Sequence, residues 1–241
     1  MRMTQGWDRE AGNWARFART PGLDRAHENI NLPVLRELLP APGARTLDFG
    51  CGEGRLSRLL ASLGHRVTGI DASPAMVALA RGHADPASAL LADGSALPFP
   101  DETFDLVVAY MCLHDVDDLP GATAEIGRVL TRGGRLCAAI VHPLNSAGRF
   151  EGREPDAPFV IAGSYADPAP VADTVERDGY RLTFHSEHRP LEAYSRALEG
   201  AGLLTEAIRE ARVSAAAAAS DPAQRRWARV PLFLHLRAVR P

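Results

Sequence analysis

The chain contains no lysine, so all 27 of its basic residues are arginine and no reaction that needs a lysine amine is available to it. Its formal net charge is only −3, which predicts no basic surface for nucleic acid. It has no apolar run near the roughly 18 residues of a membrane span, and its N-terminal residues are too polar for a signal peptide. We therefore expect a cytoplasmic protein without nucleic-acid or membrane partners.

Cysteine is scarce as well, with Cys51, Cys112 and Cys137 far apart along the chain. Their separation matches no metal-ligand spacing. The sequence therefore predicts reduced thiols and no bound metal. A hydrophobic content of 46% is ordinary for a globular protein and suffices for the core of one α/β domain with decorations.

What the sequence does contain is a glycine-rich turn between a strand and a helix. Residues Thr46 to Phe49 form the predicted strand, and Leu56, Leu59, Leu60 and Leu63 recur at the spacing of one helix face. Gly64 is a suitable residue for the end of this helix. Glycines at positions 50, 52 and 54 let the backbone approach a ligand, and a helix N-terminus attracts anionic or polar groups.

The spacing of these glycines differs from the dinucleotide fingerprint G-x-G-x-x-G, because Arg55 stands where the last glycine belongs. Asp48, directly before the turn, would repel a pyrophosphate and attract an ammonium group. A ligand that joins an amino acid to a nucleoside therefore fits this turn better than NAD does.

Two further acidic residues follow predicted strands. Asp71 ends the strand from Arg66 to Ile70, and Ser73 and Pro74 then provide the start of a helix. An acid at the end of the second strand can accept hydrogen bonds from ribose hydroxyls. Asp93 ends a third strand that begins at Ala89.

The segment Asp48 to Gly54 resembles the first motif of the class I S-adenosylmethionine-dependent methyltransferases. The pattern A-D-x-x-x-L-P-F-x-D-x-x-F-D over residues 92–105 and the pattern R-V-L-x-x-G-G-R-L over residues 128–136 are also similar to that family. The resemblance is strong from Leu47 to Pro143. It implies an α/β, Rossmann-like sheet of seven mostly parallel strands in the order 3-2-1-4-5-7-6, with the last strand antiparallel and helices on both faces.

The remaining core elements are read from the hydrophobic pattern. We predict a fourth strand from Leu106 to Tyr110, a helix from about Pro120 to Leu130, a turn at residues 132–134 and a fifth strand from Arg135 to Val141.

The resemblance implies that S-adenosyl-L-methionine is the cofactor and S-adenosyl-L-homocysteine the product. It places the Asp93 carboxylate on the adenine amino group and the Gly94 N–H on a ring nitrogen. Trp14 or Arg19 is a candidate contact for the cofactor's amino acid head. The cofactor-binding residues that we predict are Asp48, Gly50, Cys51, Gly52, Asp71, Ala72, Met76, Asp93, Gly94 and Met111.

Four regions follow along the chain. Residues 1–45 are predicted to form a helical lid and residues 46–143 the S-adenosylmethionine-binding core. Residues 144–189 carry five aromatic side chains and are predicted to form an insertion that builds the substrate pocket, with a strand from Arg181 to Phe184. Residues 190–241 complete the core with a helix from Leu191 to Ala201 and strands at 203–213 and 232–239.

We therefore predict a methyltransferase that acts on a small-molecule acceptor, with secondary metabolism as one setting. A general base is optional because the sulfonium is already a good leaving group, and the candidates are His114, His142 and His185, with His188 nearby. O-, N- and C-methylation remain open, as does the oligomeric state. The alternatives are a protein of the same fold that uses the cofactor for a cyclisation and an NAD-dependent oxidoreductase.

Overall fold

The computed structural model describes residues 3–82, 88–177, 179–220 and 222–241. The strands are β1 (Thr46–Phe49), β2 (Val67–Asp71), β3 (Ser88–Leu91), β4 (Phe104–Tyr110), β5 (Leu130–Val141), β6 (Gly148–Phe150), β7 (Phe159–Ile161), β8 (Ala169–Arg177), β9 (Tyr180–His188), β10 (Leu204–Ala211) and β11 (Phe233–Val239). The helices are α1 (Met3–Arg19), α2 (Leu32–Leu38), α3 (Arg55–Ser62), α4 (Pro74–Arg81), α5 (Leu119–Val129), α6 (Pro143–Ala147), α7 (Leu191–Gly200) and α8 (Ala215–Ser220). A π-helical segment covers His27–Asn31, and a 3-10 helix covers Pro222–Ala228.

Seven strands form one sheet in the order β10-β11-β5-β4-β1-β2-β3. The pairs among β5, β4, β1, β2 and β3 are parallel, whereas β11 is antiparallel to both β5 and β10. This arrangement confirms the predicted α/β fold, its strand order and its antiparallel last strand. All strands from β1 to β5 end at the same edge, where ligands of open α/β sheets bind.

Helices cover both faces of the sheet. On one face α5 and α7 pack on β1, β4, β5 and β11 through side chains such as Ile126, Leu136 and Leu198. On the other face α2 and α3 pack on β2, β4 and β5 through Leu35, Leu60 and neighbouring residues. Burial of these apolar faces fixes the sheet, and the sheet in turn fixes where each strand-end residue lies.

The predicted helix boundaries are close to those observed. Ser73 caps α4 by accepting a hydrogen bond from the Met76 amide, and the chain after α3 turns at Gly64 with φ of +96°. Leu63, predicted on the apolar face of the helix after the glycine turn, is nevertheless 42% exposed, and Leu191, where the predicted helix from Leu191 to Ala201 begins, is 39% exposed. Both lie at a helix end, Leu63 directly after α3 and Leu191 as the first residue of α7.

The turn predicted at residues 132–134 lies inside β5, which begins earlier than expected. The segment keeps an irregular backbone, with φ of +76° at Gly133. It stays in the sheet because the Gly133 amide donates to the Arg240 carbonyl at 2.7 Å and the Arg240 amide donates to the Gly134 carbonyl at 3.0 Å. This pairing with a distant segment is not visible in the local sequence.

Residues 144–189 form α6 and two antiparallel hairpins, β6–β7 and β8–β9. The predicted strand from Arg181 to Phe184 is present and extends over nine residues, because β8 pairs along its whole length. Before the sheet begins, α1, the π-helical segment and α2 form a helical region, and α1 packs on β9. Within the described residues, no helix is both long and apolar enough to span a bilayer.

Candidate active site

One large cavity, of about 1400 Å³, opens at the edge of the sheet where β1, β2 and β4 end. One part, which we call the glycine-turn half, is lined by residues that follow β1, β2 and β4 and is covered by α1. The other part, which we call the β5 half, is lined by residues 145–150, Gly152 and Arg153 after β5 and by residues between β10 and β11. The β8–β9 hairpin also contributes to the lining.

The turn after β1 requires glycine because its backbone is left-handed. The φ angle is +72° at Gly50, +56° at Gly52 and +88° at Gly54. A Cβ at Gly50 would lie 2.5 Å from the Cβ of Cys112, so no side chain fits there. The position of a Cβ at Gly52 lies 3.7 Å from Nε1 of Trp14, and both residues line the cavity.

Asp71 is held rigidly at the end of β2. Its Oδ2 accepts a hydrogen bond from the Gly52 amide at 2.8 Å, and its Oδ1 accepts one from the Ser73 amide at 2.9 Å. Burial nevertheless raises the pKa of this carboxyl above its usual value. The carboxylate therefore joins the glycine turn to the start of α4 and faces the cavity that both segments line.

Asp48 lies deeper, at the end of β1, and is only 1% exposed. The Ser57 hydroxyl donates to its Oδ2 at 2.5 Å. Burial raises the pKa of Asp48 to about 7, because the ionised form is poorly solvated there and the nearby Asp71 carboxylate repels it. A cation beside this carboxyl would favour its ionised form.

The third strand-end acid differs from the other two. The Asp93 side chain is exposed and does not line the cavity; its Oδ1 accepts hydrogen bonds from the Ser95 amide at 2.9 Å and the Ser95 hydroxyl at 2.8 Å. Gly94 does line the cavity, and a Cβ there would lie 2.5 Å from Cζ of Phe49. Met76 lines it as well, from the first turn of α4.

All other predicted cofactor residues line the cavity, namely Cys51, Ala72 and Met111. Met111 has a φ of +57°, which is uncommon for a residue with a side chain, and its amide donates to the Ala139 carbonyl at 2.7 Å. The chain thereby turns sharply where β4 ends at the cavity.

Aromatic residues of α1 cover the glycine-turn half. Trp7, Trp14 and Phe17 each contact the ring of Phe184 on β9, with ring centroids 6.0 to 6.5 Å apart. All four rings line the cavity. Arg19 does not, because it extends to Glu53, where its Nε lies 2.8 Å from Oε2.

His114 is the predicted base that the structure places at the cavity. It is 7% exposed, its Nε2 lies 3.5 Å from Oδ1 of Asp115, and its buried Nδ1 has no hydrogen-bond partner among the described residues. Burial, together with the charge of Arg189, lowers the pKa of His114 to about 3. Asp115 in turn accepts a hydrogen bond from Nε1 of Trp7 at 3.0 Å, and burial raises its pKa.

The other candidate bases do not line the cavity. His142 caps α6, with its Nδ1 accepting from the Leu144 amide at 3.0 Å, and its Nε2 lies 3.1 Å from the exposed carboxylate of Glu210. His185 packs beside Gly6 of α1. His188 bonds to the Ser146 hydroxyl and the Tyr165 carbonyl. These contacts give each ring a role in holding the fold.

Several residues at the cavity are not predicted from the sequence. His27 lies 2.7 Å from the Tyr110 hydroxyl, and burial lowers the pKa of His27 to about 4. Arg55 pairs with Asp24 at 2.9 Å, which ties the segment after α1 to the glycine turn. No local pattern signals these pairs, because each joins residues far apart in the chain. The aromatic lining of the β5 half, which includes Trp227, was missed for the same reason.

These features fit S-adenosylmethionine, as the sequence predicts. The backbone at Gly52 is open to the cavity, Asp71 presents a fixed carboxylate for hydroxyl groups, and Asp48 offers a negative charge close to the turn. The Gly94 backbone and the Met76 side chain line the wall that suits a flat, largely apolar base.

Comparisons with known proteins agree with this geometry. Residues 47–138 match the family model described as a methyltransferase domain. A demethylmenaquinone methyltransferase of Tropheryma whipplei (strain Twist) is 40% identical over 112 residues, which are 45% of this chain and 46% of that protein. A malonyl-[acyl-carrier protein] O-methyltransferase of Serratia marcescens is 39% identical over 122 residues, which are 49% of this chain and 48% of that protein. The chain thus spans about half the length of these curated relatives.

The whole fold is similar to a crystal structure of an S-adenosylmethionine-dependent methyltransferase from Mesorhizobium loti. The TM-score is 0.73 at 26% identity, and the alignment covers 86% of this chain and 96% of that chain. Residues 47–138 therefore form a methyltransferase domain, and the fold around it is similar to that of an S-adenosylmethionine-dependent methyltransferase.

Proposed function

We propose that this chain transfers the methyl group of S-adenosylmethionine to a small-molecule acceptor. The observation that carries the proposal is the pair formed by Gly52 and Asp71, in which the amide of a left-handed turn donates to a half-buried carboxylate that lines the cavity. The names of the two curated relatives describe acceptors of quinone and acyl-carrier type. A reaction centre enclosed by α1 and the β8–β9 hairpin also favours a small acceptor over a folded macromolecule.

The chain's own residues would hold the cofactor as follows. Asp71 accepts from the ribose hydroxyls with the lone pairs that the two amides leave free. Asp48 attracts the ammonium of the amino acid head. The Gly94 amide and Met76 contact the adenine. Because its carboxylate is turned to Ser95, we assign Asp93 no direct contact.

When bound, the cofactor supplies an electrophilic methyl group on a sulfonium. The protein's contribution is then to hold the acceptor in line and to exclude water, and such positioning can provide much of a rate enhancement. Tyr110, Met111 and Cys112 line the glycine-turn half at the end of β4, which is the strand next to β5. They are therefore suited to shape the path between cofactor and acceptor.

His114 is suited to orient the acceptor. With a pKa of about 3 its ring is neutral at physiological pH, so an unpartnered ring nitrogen can exchange a hydrogen bond with an acceptor hydroxyl or amine. The same low pKa makes it a weak proton acceptor, because general bases work best with a pKa near the operating pH. We therefore propose that His114 positions the acceptor and does not titrate between pH 5 and 8.

The experiment that tests the cofactor assignment is calorimetric titration with S-adenosylmethionine, S-adenosylhomocysteine and NAD. Asp71→Asn should weaken binding of the first two by about tenfold or more, the scale of a lost hydrogen bond to a charged group. Asp93→Asn is the matched control and should stay within about twofold. Binding of NAD alone would overturn the proposal, and equal losses in both variants would restore Asp93 as a direct contact.

The acceptor is then sought with methyl-labelled S-adenosylmethionine and a panel of quinols, malonyl thioesters and aromatic carboxylic acids. Transfer of label to any of these supports the proposed reaction. A different result would contradict the proposed reaction: the protein binds the cofactor and converts a compound of the panel, but no label is transferred to it. That result would favour a non-methylating reaction on the same fold.

A further inference from the structure

Charge is distributed unevenly around the cavity. Most of its acidic side chains belong to the glycine-turn half, namely Asp24, Asp48, Glu53, Asp71 and Asp115. The remaining acidic residue of the lining, Asp173, lies on β8 and is paired with Phe184, whose ring packs on α1 over the glycine-turn half. The β5 half is lined by three arginine residues, Arg149, Arg153 and Arg226, whereas Arg55 of the glycine-turn half is paired with Asp24. Among the described residues, no carboxylate forms an ion pair with any of these three side chains.

The best-defined of these cations is Arg226. Its guanidinium carbon lies 5.7 Å from the ring centroid of Phe150 and 5.8 Å from that of Trp227. Its Nη1 donates to the Arg153 carbonyl at 3.1 Å, and its buried Nε has no hydrogen-bond partner among the described residues. The guanidinium group is therefore oriented by two rings and one carbonyl, and its charge is not neutralised.

The wall that carries Arg226 is built from two segments packed together. The Phe150 ring meets Trp227 at a centroid distance of 4.8 Å and Phe159 at 5.1 Å. Nη1 of Arg229, the residue after the 3-10 helix, donates to the Ala157 carbonyl at 2.8 Å, which ties this segment to the loop between β6 and β7. The acidic residues of that loop, Glu151, Glu154 and Asp156, are exposed and do not line the cavity.

We infer that the methyl acceptor is a small molecule with a flat apolar ring system and a carboxylate, the ring lying against Phe150 and Trp227 and the carboxylate on Arg226. This inference rests on the proposed function and names the substrate class for the same cavity. A guanidinium binds a carboxylate through parallel hydrogen bonds, and it does so most strongly where water is excluded. Aromatic walls with few polar groups are typical of sites for ring-bearing ligands.

The test uses 2-naphthoate and 2-naphthamide as probes, because they share a ring system and differ in charge. Each is titrated calorimetrically into the full chain, with and without S-adenosylhomocysteine. We expect the carboxylate to bind about tenfold or more tightly than the amide, since hydrogen bonds to charged groups are the stronger ones. Arg226→Gln should reduce this preference to about twofold or less.

Arg225→Gln is the matched control, because Arg225 lies on the same 3-10 helix but is exposed and does not line the cavity. It should keep the full preference for the carboxylate. Equal binding of the two probes by the parent chain, failure of both to bind, or an unchanged preference in Arg226→Gln would overturn the inference. If the parent chain does not bind S-adenosylhomocysteine, that result counts against the proposed function. The titrations of the two probes without S-adenosylhomocysteine still test the role of Arg226.

Discussion

At the scale of single residues, Asp48 links the stability of the fold to pH. Its pKa is about 7 in the folded chain and about 3.8 in the unfolded chain, so the folded state binds a proton that the unfolded state has lost. Its contribution to stability is therefore full below pH 3.8 and is lost as the pH rises toward 7 and above, by about 4 kcal/mol in all.

We expect Asp48→Asn to remove this dependence. Between pH 5 and pH 8 the unfolding free energy of the parent chain should fall by about 2–3 kcal/mol relative to that of the variant. Urea denaturation of both proteins at the two pH values measures the difference. Parallel pH dependence in parent and variant would show that Asp48 ionises normally in the fold.

His235 presents the opposite dependence. Its ring is fully buried in β11, and neither ring nitrogen has a hydrogen-bond partner among the described residues. Burial lowers its pKa from 6.5 to about 4, so its contribution to stability is full above pH 6.5 and is lost as the pH falls toward 4, by about 3 kcal/mol.

His235→Leu should therefore be at least as stable as the parent at pH 7 and should lose less stability on acidification, because it removes two unsatisfied polar atoms. His65→Leu is the control. His65 is also buried, but its Nδ1 lies 3.0 Å from the Thr46 hydroxyl, so its loss should cost about 1–3 kcal/mol. Thermal unfolding from pH 4 to 7 compares the three proteins; destabilisation of both variants to the same extent would refute the distinction.

At the scale of elements, the glycine turn depends on space as well as on backbone freedom. Gly50→Ala combines a left-handed backbone with a collision against Cys112, and should cost about 2–4 kcal/mol and abolish nucleoside binding. Gly22→Ala shares the left-handed backbone, with φ of +80°, but a Cβ there meets no atom within 4 Å. It should cost about 1 kcal/mol and leave binding intact. Denaturation and S-adenosylhomocysteine titration check both, and equal behaviour would mean that strain alone governs the turn.

A second prediction at this scale concerns the contacts that hold α1 on β9. Phe184→Ala removes the ring that Trp7, Trp14 and Phe17 share, so the amides of residues 3–19 should exchange with solvent faster while those of β1 and β4 do not change. The control is Phe150→Ala, which disturbs the aromatic contacts of the β5 half instead. Mass spectrometry of hydrogen exchange resolves the two regions. Unchanged exchange in α1 would mean that other contacts hold the helix.

At the scale of the whole molecule, a ligand that binds only the folded chain must stabilise it. S-adenosylhomocysteine at about 100 times its dissociation constant should add about 2.7 kcal/mol, which corresponds to a rise in melting temperature of roughly 5–10 °C for a chain of this size. NAD at the same concentration should produce no shift. A thermal melt with each ligand measures this, and a shift with NAD alone would contradict the cofactor assignment.

The sequence predicts the sheet well because local signals and strand-end chemistry coincide in it. Asp48 and Asp71 each lie at the carboxyl end of a core strand, so the parallel arrangement alone brings them to one edge. The orientation of side chains at that edge is a different matter. His114 and His142 both follow a core strand, but only His114 lines the cavity, because the His142 side chain caps α6. No local sequence pattern predicts this difference.

Elements that are stabilised by contacts with other segments of the chain are the hardest to predict from the sequence. β8 contains Pro170 and alternates poorly, and it becomes a strand because β9 pairs with it along its length. The packing of Phe150 on Trp227 joins two segments whose proximity depends on the finished sheet. Much of the β5 half of the cavity is for this reason a product of tertiary structure.

The position of β11 has a consequence for the order of events during synthesis. β11 lies between β5 and β10, although it follows both of them in the chain. β10 can therefore join the sheet only after β11 has left the ribosome and paired with β5. Until then the β5 edge exposes unpaired backbone groups that another chain could bind. The nascent protein must keep this edge protected, and rapid docking of β11 is the step that ends its exposure to aggregation.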